Sequence, residues 1–154
     1  MRYRPYKPED FSDLYRVEEA CFQPPFRFSR SYMRQIVSSP NSATWIVEEN
    51  GSLAGFAVVD WTVESTSRSA YIQTIEVLPI FRRMGAAREL MRLTEESAVK
   101  AGANTIWLHV DVENVAAIHL YESGGYILQD REEKYYPRGR DALIYRKLLE
   151  RIGA

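Results

Sequence analysis

The chain has 154 residues, 45% of them hydrophobic and 27% charged, which fits one domain with its own core and excludes a disordered chain. A net charge of −1 and a pI of about 6.2 argue against a general nucleic-acid binder, which carries a basic excess. Cys21 is the single cysteine, so no intrachain disulfide is possible, and no apolar run approaches the ~18 residues of a membrane span.

The first ten residues, MRYRPYKPED, lack a signal-peptide core. The expectation is a cytoplasmic protein, one domain over 1–154, acting without metal, membrane or nucleic acid, as monomer or homodimer. Arg2 to Tyr6 alternates like a short strand. Lys7-Pro8-Glu9-Asp10 reads as a helix start, with proline early and acids in the first turn. Phe11, Leu14, Tyr15 and Val17 give that helix an apolar face, ending near Cys21. The prolines of Phe22-Gln23-Pro24-Pro25-Phe26 cannot continue it, so a stiff aromatic loop follows. Ser29 is placed to cap a second helix with Met33, Ile36 and Val37 inward.

Asn41 to Glu49 and Ser52 to Thr62 are strand-like runs joined at Asn50-Gly51, a strong hairpin signal. Glu64 to Arg68 is a polar connection. Tyr71 to Val77 is the fourth strand, stopped by Pro79. A helix runs from Gly85 to about Lys100 and stops at Gly102. Asn104 to Val110 is a buried-type strand. Another helix runs from Asn114 to about Ser123, before Gly124-Gly125. Tyr126 to Arg131 and Asp141 to Lys147 complete the sheet, linked by KYYPRGR. This order predicts an α/β (α+β) fold with a mixed sheet and helices on both faces, and a parallel crossover between Tyr71 and Val110.

Two stretches carry chemistry. In the first, Arg82-x-x-Gly85-x-Ala87 joins a strand to a helix start. Free N–H groups and the positive end of the helix dipole converge there, as at phosphate sites. Gly85 permits close backbone approach, and Ala86 and Ala87 keep side chains small. Arg82, Arg83 and Arg88 add charge. Neither the Walker loop nor the dinucleotide fingerprint is present. A plain helix start with solvent-facing arginines is the alternative. In the second, His109 ends a strand, and Asn114, Ala117 and Tyr121 share one helical face over about 10 Å. The plain readings are a core histidine, an N-cap asparagine and a snorkelling tyrosine. His119 reads as surface.

Together, VLPIFRRMGAARELM and NVAAIHLYESGGY resemble the two motifs of the GNAT superfamily of acetyl-CoA-dependent N-acetyltransferases. The order of elements agrees along nearly the whole chain. LHV, NVAA, LY and KYY resemble more closely the protein N-terminal acetyltransferases, including the ribosomal-protein-alanine type. That resemblance implies a mostly antiparallel sheet of about seven strands with a central parallel pair, splayed after Val77 and His109. It implies that Ile75 to Val77 pair with the pantetheine arm of acetyl-CoA. Backbone around Arg82, Arg83, Met84, Gly85, Ala86, Ala87 and Arg88 would hold the pyrophosphate. Asn114 and Ala117 would line the arm, and Tyr121 would approach the sulfur. Phe22, Pro24, Phe26, Tyr135 and Tyr136 would flank the acceptor, most simply a protein or peptide N-terminus. The bacterial ribosomal-protein enzymes carry glutamate at the position of His109, which leaves the acceptor open.

For the chemistry, His109 is the expected base, helped by Tyr71, with Tyr121 returning a proton to the sulfur and the Val77 N–H holding the carbonyl oxygen. Glu76 is the second choice, because strand alternation puts Tyr71, Gln73, Ile75 and Val77 on one face and Glu76 on the other. A bulge would reverse that. No acyl-enzyme is expected, since Cys21 is placed in the first helix, away from the groove. The alternatives are a GNAT enzyme acting on a small amine or a lysine side chain, and a non-catalytic acetyl-CoA-binding module.

Overall fold

The apolar alternation of the central strands dictates the layers. Ile46, Phe56 and Val58 point to one face of the sheet, and Val47 and Ala57 to the other. The computed structural model describes residues 1–62 and 68–149. Residues 64–67 of the expected polar connection lie outside the described residues.

In chain order the elements are β1 (Arg2–Pro5), α1 (Phe11–Cys21), α2 (Arg30–Ser38), β2 (Ser42–Glu49), β3 (Ser52–Trp61), β4 (Ser69–Val77), α3 (Ala86–Lys100), β5 (Thr105–Asp111), α4 (Val115–Ser123), β6 (Ile127–Tyr136) and β7 (Arg140–Leu148). The strands form one sheet in the order β1-β2-β3-β4-β5-β7-β6. All neighbours are antiparallel except β4 and β5. This is the expected α/β sheet with its one parallel pair. Helices α1 and α2 cover one face with Phe11, Leu14, Met33 and Ile36. Helix α3 covers the other with Ala86, Leu90 and Met91, joined by Tyr121 of α4.

Local signals set the boundaries. A single 3₁₀ turn, Pro8–Asp10, precedes α1, so the first helix starts later than Lys7-Pro8 implies. The Ser29 side chain accepts from the Tyr32 N–H at 3.0 Å and caps α2. Asn50 and Gly51 turn the β2–β3 hairpin at φ 53° and 79°. Among the described residues no helix is long and apolar enough to cross a membrane.

Three departures bear on the site. First, β4 and β5 pair only at Ser69–Thr105, Ala70–Ile106 and Tyr71–Trp107. The strands therefore part just after Tyr71, not after Val77 and His109. Second, β4 carries a bulge. Val58 pairs with Thr74 and Val59 with Ile72, so Gln73 has no partner. The extra residue breaks the simple alternation. Ile72, Ile75 and Val77 pack on the α3 side. Gln73 meets Tyr32 of α2, Glu76 meets Glu18 of α1, and Tyr71 meets His109. Third, β6 runs on to Tyr136, so Tyr135 and Tyr136 end a strand rather than sit in a loop. The link to β7 is only Pro137–Gly139.

Candidate active site

The parting of β4 from β5 opens the sheet. In an ordinary parallel pair the backbone beyond Tyr71 would be bonded to its neighbour. Here the rest of β4 has no β5 partner, and a cavity of about 500 Å³ fills the gap. Ile75 of β4 lines it together with His109, Asn114, Ala117 and Tyr121 of the second motif, while Arg82 to Arg88 are not among its lining residues. Phe22, Phe26 and Tyr136 line its other side. Pro24 is exposed and is not among the lining residues.

The basic turn has an unusual backbone. Arg83 lies at φ 64° and Gly85 at φ 83°. Left-handed residues this close together turn successive N–H groups to one side, the geometry of an anion nest. The first bond into α3 runs from the Glu89 N–H to the Gly85 carbonyl, at 3.1 Å. The amides of Ala86, Ala87 and Arg88 precede it at the helix end. A Cβ at Gly85 would meet nothing within 4 Å, so the space over the turn is open. Backbone donors and open space together fit a pyrophosphate. The arginine side chains act otherwise. The Arg82 Nε donates to the Val77 carbonyl at 2.9 Å, tying the turn to the end of β4. Arg88 donates to Ser123 Oγ at 2.9 Å, bridging α3 to α4. Arg83 and Met84 are exposed.

Asn114 caps α4, its Oδ1 accepting from the Ala117 N–H at 3.2 Å. It lines the cavity as well, so the plain and functional readings hold together. Tyr121 is buried, with Tyr126 edge-on at 5.6 Å. Burial holds its phenol above the usual range, so it keeps its proton at neutral pH.

Tyr71 and His109 meet across the parting strands, Tyr71 Oη lying 2.8 Å from His109 Nδ1. Tyr135 stacks on the imidazole at 4.0 Å and 10°. Glu132 reaches His109 Nε2 at 2.9 Å. A second cavity, about 460 Å³, lies on this side, lined by Tyr32, Tyr71, Gln73, Trp107 and Tyr135. His109 and Tyr136 line both cavities. His119 is exposed and remote from this arrangement.

One expectation is corrected. Cys21 is not away from the groove: it lines the first cavity, with Sγ 3.6 Å from the Val77 carbonyl. Burial pushes its thiol up to about 11. Glu76 is only 3% exposed and lines neither cavity. Burial, then the neighbouring Glu18, raises its carboxyl well above the ordinary value. Its surroundings favour the protonated form.

Glu132 and Glu18 escaped the sequence reading. The bulge at Gln73 has no residue signature in β4. Glu132 and Tyr135 reach one imidazole because β6 is irregular between Glu132 and Tyr136, with Lys134 at φ 55°. Simple alternation would have put them on opposite faces.

The model of the acetyltransferase (GNAT) family matches residues 11–126. The chain is 33% identical over 121 residues, 77% of its length, to the N-terminal acetyltransferase A complex catalytic subunit NAA10 of Arabidopsis thaliana. It is 38% identical over 87 residues, 56% of its length, to the streptothricin acetyltransferase of Streptomyces lavendulae, of which it covers 45%. The crystal structure of the ribosomal-protein-S18-alanine N-acetyltransferase from Escherichia coli superposes with a TM-score of 0.85 at 26% identity, covering 99% of this chain and 96% of that one. The chain spans 63% and 64% of the length of the first curated relatives it matches. With the second motif set at the parting of β4 and β5, and a family model covering most of the chain, this protein belongs to the GNAT acetyltransferase family.

Proposed function

We propose that this protein transfers the acetyl group of acetyl-CoA to the α-amine of a protein or peptide N-terminus, by direct attack within a ternary complex. The observation that carries this reading is the pair of cavities meeting at His109 and Tyr136, one lined by Asn114 and Tyr121, the other walled by aromatics. Acetyl-CoA supplies an acetyl thioester. Backbone of Ile75 to Val77, the amides of the turn at Arg83 to Arg88, and Asn114 would hold it.

Each residue's chemistry follows from its surroundings. The Tyr71–His109 pair stands where an entering amine would shed a proton. An α-amine, with a pKa near ~8, is neutral far more often at pH 7 than a lysine amine near ~10.4. The base is therefore asked for less by an N-terminus. Tyr121, kept protonated by burial, returns a proton to the departing sulfur. Phe22 and Phe26, which line the first cavity, and Tyr135 and Tyr136, which line the second, would clamp the first residues of a peptide. Arg140 lies over the Phe26 ring at 4.4 Å and pairs with Asp111, stiffening that wall.

A small-amine or lysine acceptor is the second reading. Asp60, which lines the aromatic cavity, would attract a cation. It is the sole acid among that cavity's lining residues, and burial raises its carboxyl, so a deep acidic pocket is not formed. Acetylation of a peptide array with free and blocked N-termini separates the readings. Free N-termini should react. Reaction of blocked lysine peptides alone would overturn the N-terminal reading, and acetyl-CoA binding without turnover on any amine would overturn both.

A further inference from the structure

We infer that Glu132 is a positioning residue that sets the tautomer of His109 and thereby makes Tyr71 the group that receives the acceptor's proton. The inference rests on the acetyl-transfer reading above and adds a carboxylate that no motif contains.

Geometry comes first. Glu132 Oε2 lies 2.9 Å from His109 Nε2, and Tyr71 Oη lies 2.8 Å from His109 Nδ1. The three groups come from β6, β5 and β4, so only the folded sheet assembles them. The His109 side chain is 10% exposed, against 49% for Glu132. Partners, rather than water, therefore orient the ring. Tyr135 stacks on it at 4.0 Å and Trp107 lies at 5.3 Å, which restricts a ring flip.

An ionised carboxylate can only accept, and a neutral imidazole has one donor nitrogen and one acceptor nitrogen. Facing Glu132, Nε2 must carry the hydrogen. Nδ1 is left with a lone pair, so the Tyr71 hydroxyl donates to it. The order is then Tyr71 O–H to Nδ1, and Nε2–H to Glu132. A carboxylate behind an imidazole does the same in Ser-His-Asp hydrolases.

The proton path follows and balances. The amine nitrogen bonds to the acetyl carbon as the carbon–sulfur bond breaks. The proton released by nitrogen passes to Tyr71 Oη while the Tyr71 proton passes to Nδ1. The resulting imidazolium is stabilised by the Glu132 charge. The thiolate takes its proton from Tyr121. His109 thus stores the proton without touching the acceptor, and Tyr71, which lines the acceptor cavity, does the touching.

The test compares Glu132→Ala and Glu132→Gln in the full chain. NMR shifts of the imidazole nitrogens report the tautomer without any turnover. Wild type should show Nε2–H. Glu132→Gln should retain it, since the amide oxygen still accepts, while Glu132→Ala should show a mixture. With a reactive peptide, kcat should fall about tenfold or more in Glu132→Ala and less in Glu132→Gln, with KM for both substrates within about twofold. An unchanged tautomer in Glu132→Ala overturns the inference, whatever happens to kcat. A rise in KM with kcat unchanged does so too, because it marks a wall residue. If wild type acetylates no peptide, the acetyl-transfer reading fails, and the tautomer comparison still decides the role of Glu132.

Discussion

The carboxyl groups of Glu18 in α1 and Glu76 in β4 meet in the interior, 1% and 3% exposed. Glu18 Oε2 accepts from the Phe28 N–H at 3.0 Å, and Glu76 Oε2 from Thr74 Oγ1 at 2.8 Å. The other oxygen of each carboxyl finds no donor among the described groups. Two carboxylates cannot both ionise at this separation, and one proton between them satisfies both orphaned oxygens. The pair ties the first helix, which leads into the loop of Phe22 to Phe26, to β4.

That shared proton predicts a pH dependence. Glu76 binds its proton more tightly folded than unfolded. Its contribution to stability is full at low pH and is lost as pH rises from the ordinary glutamate range through the raised value. Glu76→Gln removes the titration. Melting curves from about pH 5 to about pH 9 should show the variant gaining on wild type as pH rises. A constant difference across that range would contradict the shared proton. Turnover should survive the substitution, and its abolition with the fold intact would restore Glu76 as a base.

Tyr121→Phe removes the proposed acid and little else, since the ring remains in the core. We expect kcat to fall about a hundredfold or more with acetyl-CoA affinity nearly unchanged. Stopped-flow binding and steady-state rates together check this. A variant with near wild-type kcat would mean that solvent protonates the sulfur.

Cys21 sits close enough to the groove to invite an acyl-enzyme reading. Its thiol, pushed up to about 11, leaves about one part in a thousand as thiolate near pH 8. Cys21→Ala should keep kcat within about twofold, and intact-protein mass spectra should show no acetyl adduct during turnover. An acetylated Cys21 that decays at the rate of product formation would reverse this conclusion.

Gly55 tests the seat of the cofactor strand. It pairs with Val77, and a Cβ there would lie 2.5 Å from the Glu76 carbonyl oxygen and 3.1 Å from Val77 Cα. Backbone cannot yield as a flexible side chain does. Gly55→Ala should cost about 1–3 kcal/mol. Each kcal/mol lowers Tm by about 2–4 °C in a chain of this size. Acetyl-CoA affinity should fall with it, because β4 shifts. Unchanged melting would show that the strands relax freely.

The layers, the order of elements and the two motif turns were legible because their signals are local. Ser29, Asn50-Gly51 and Gly85 act through their own φ/ψ and neighbouring N–H groups. Apolar alternation in β2 and β3 determined the faces. The bulge at Gln73, the early parting of β4 from β5 and the long irregularity in β6 left no such signal. They arise from how strands of unequal length pair across the sheet. Those three irregularities bring Tyr71 to His109, bury Glu76 against Glu18, and swing Glu132 and Tyr135 onto the imidazole. The sequence by itself determined the family's scaffold and the turn that starts α3. Only the tertiary structure decided which side chains share a proton, because that depends on register, and one extra residue in a strand moves every side chain beyond it to the other face.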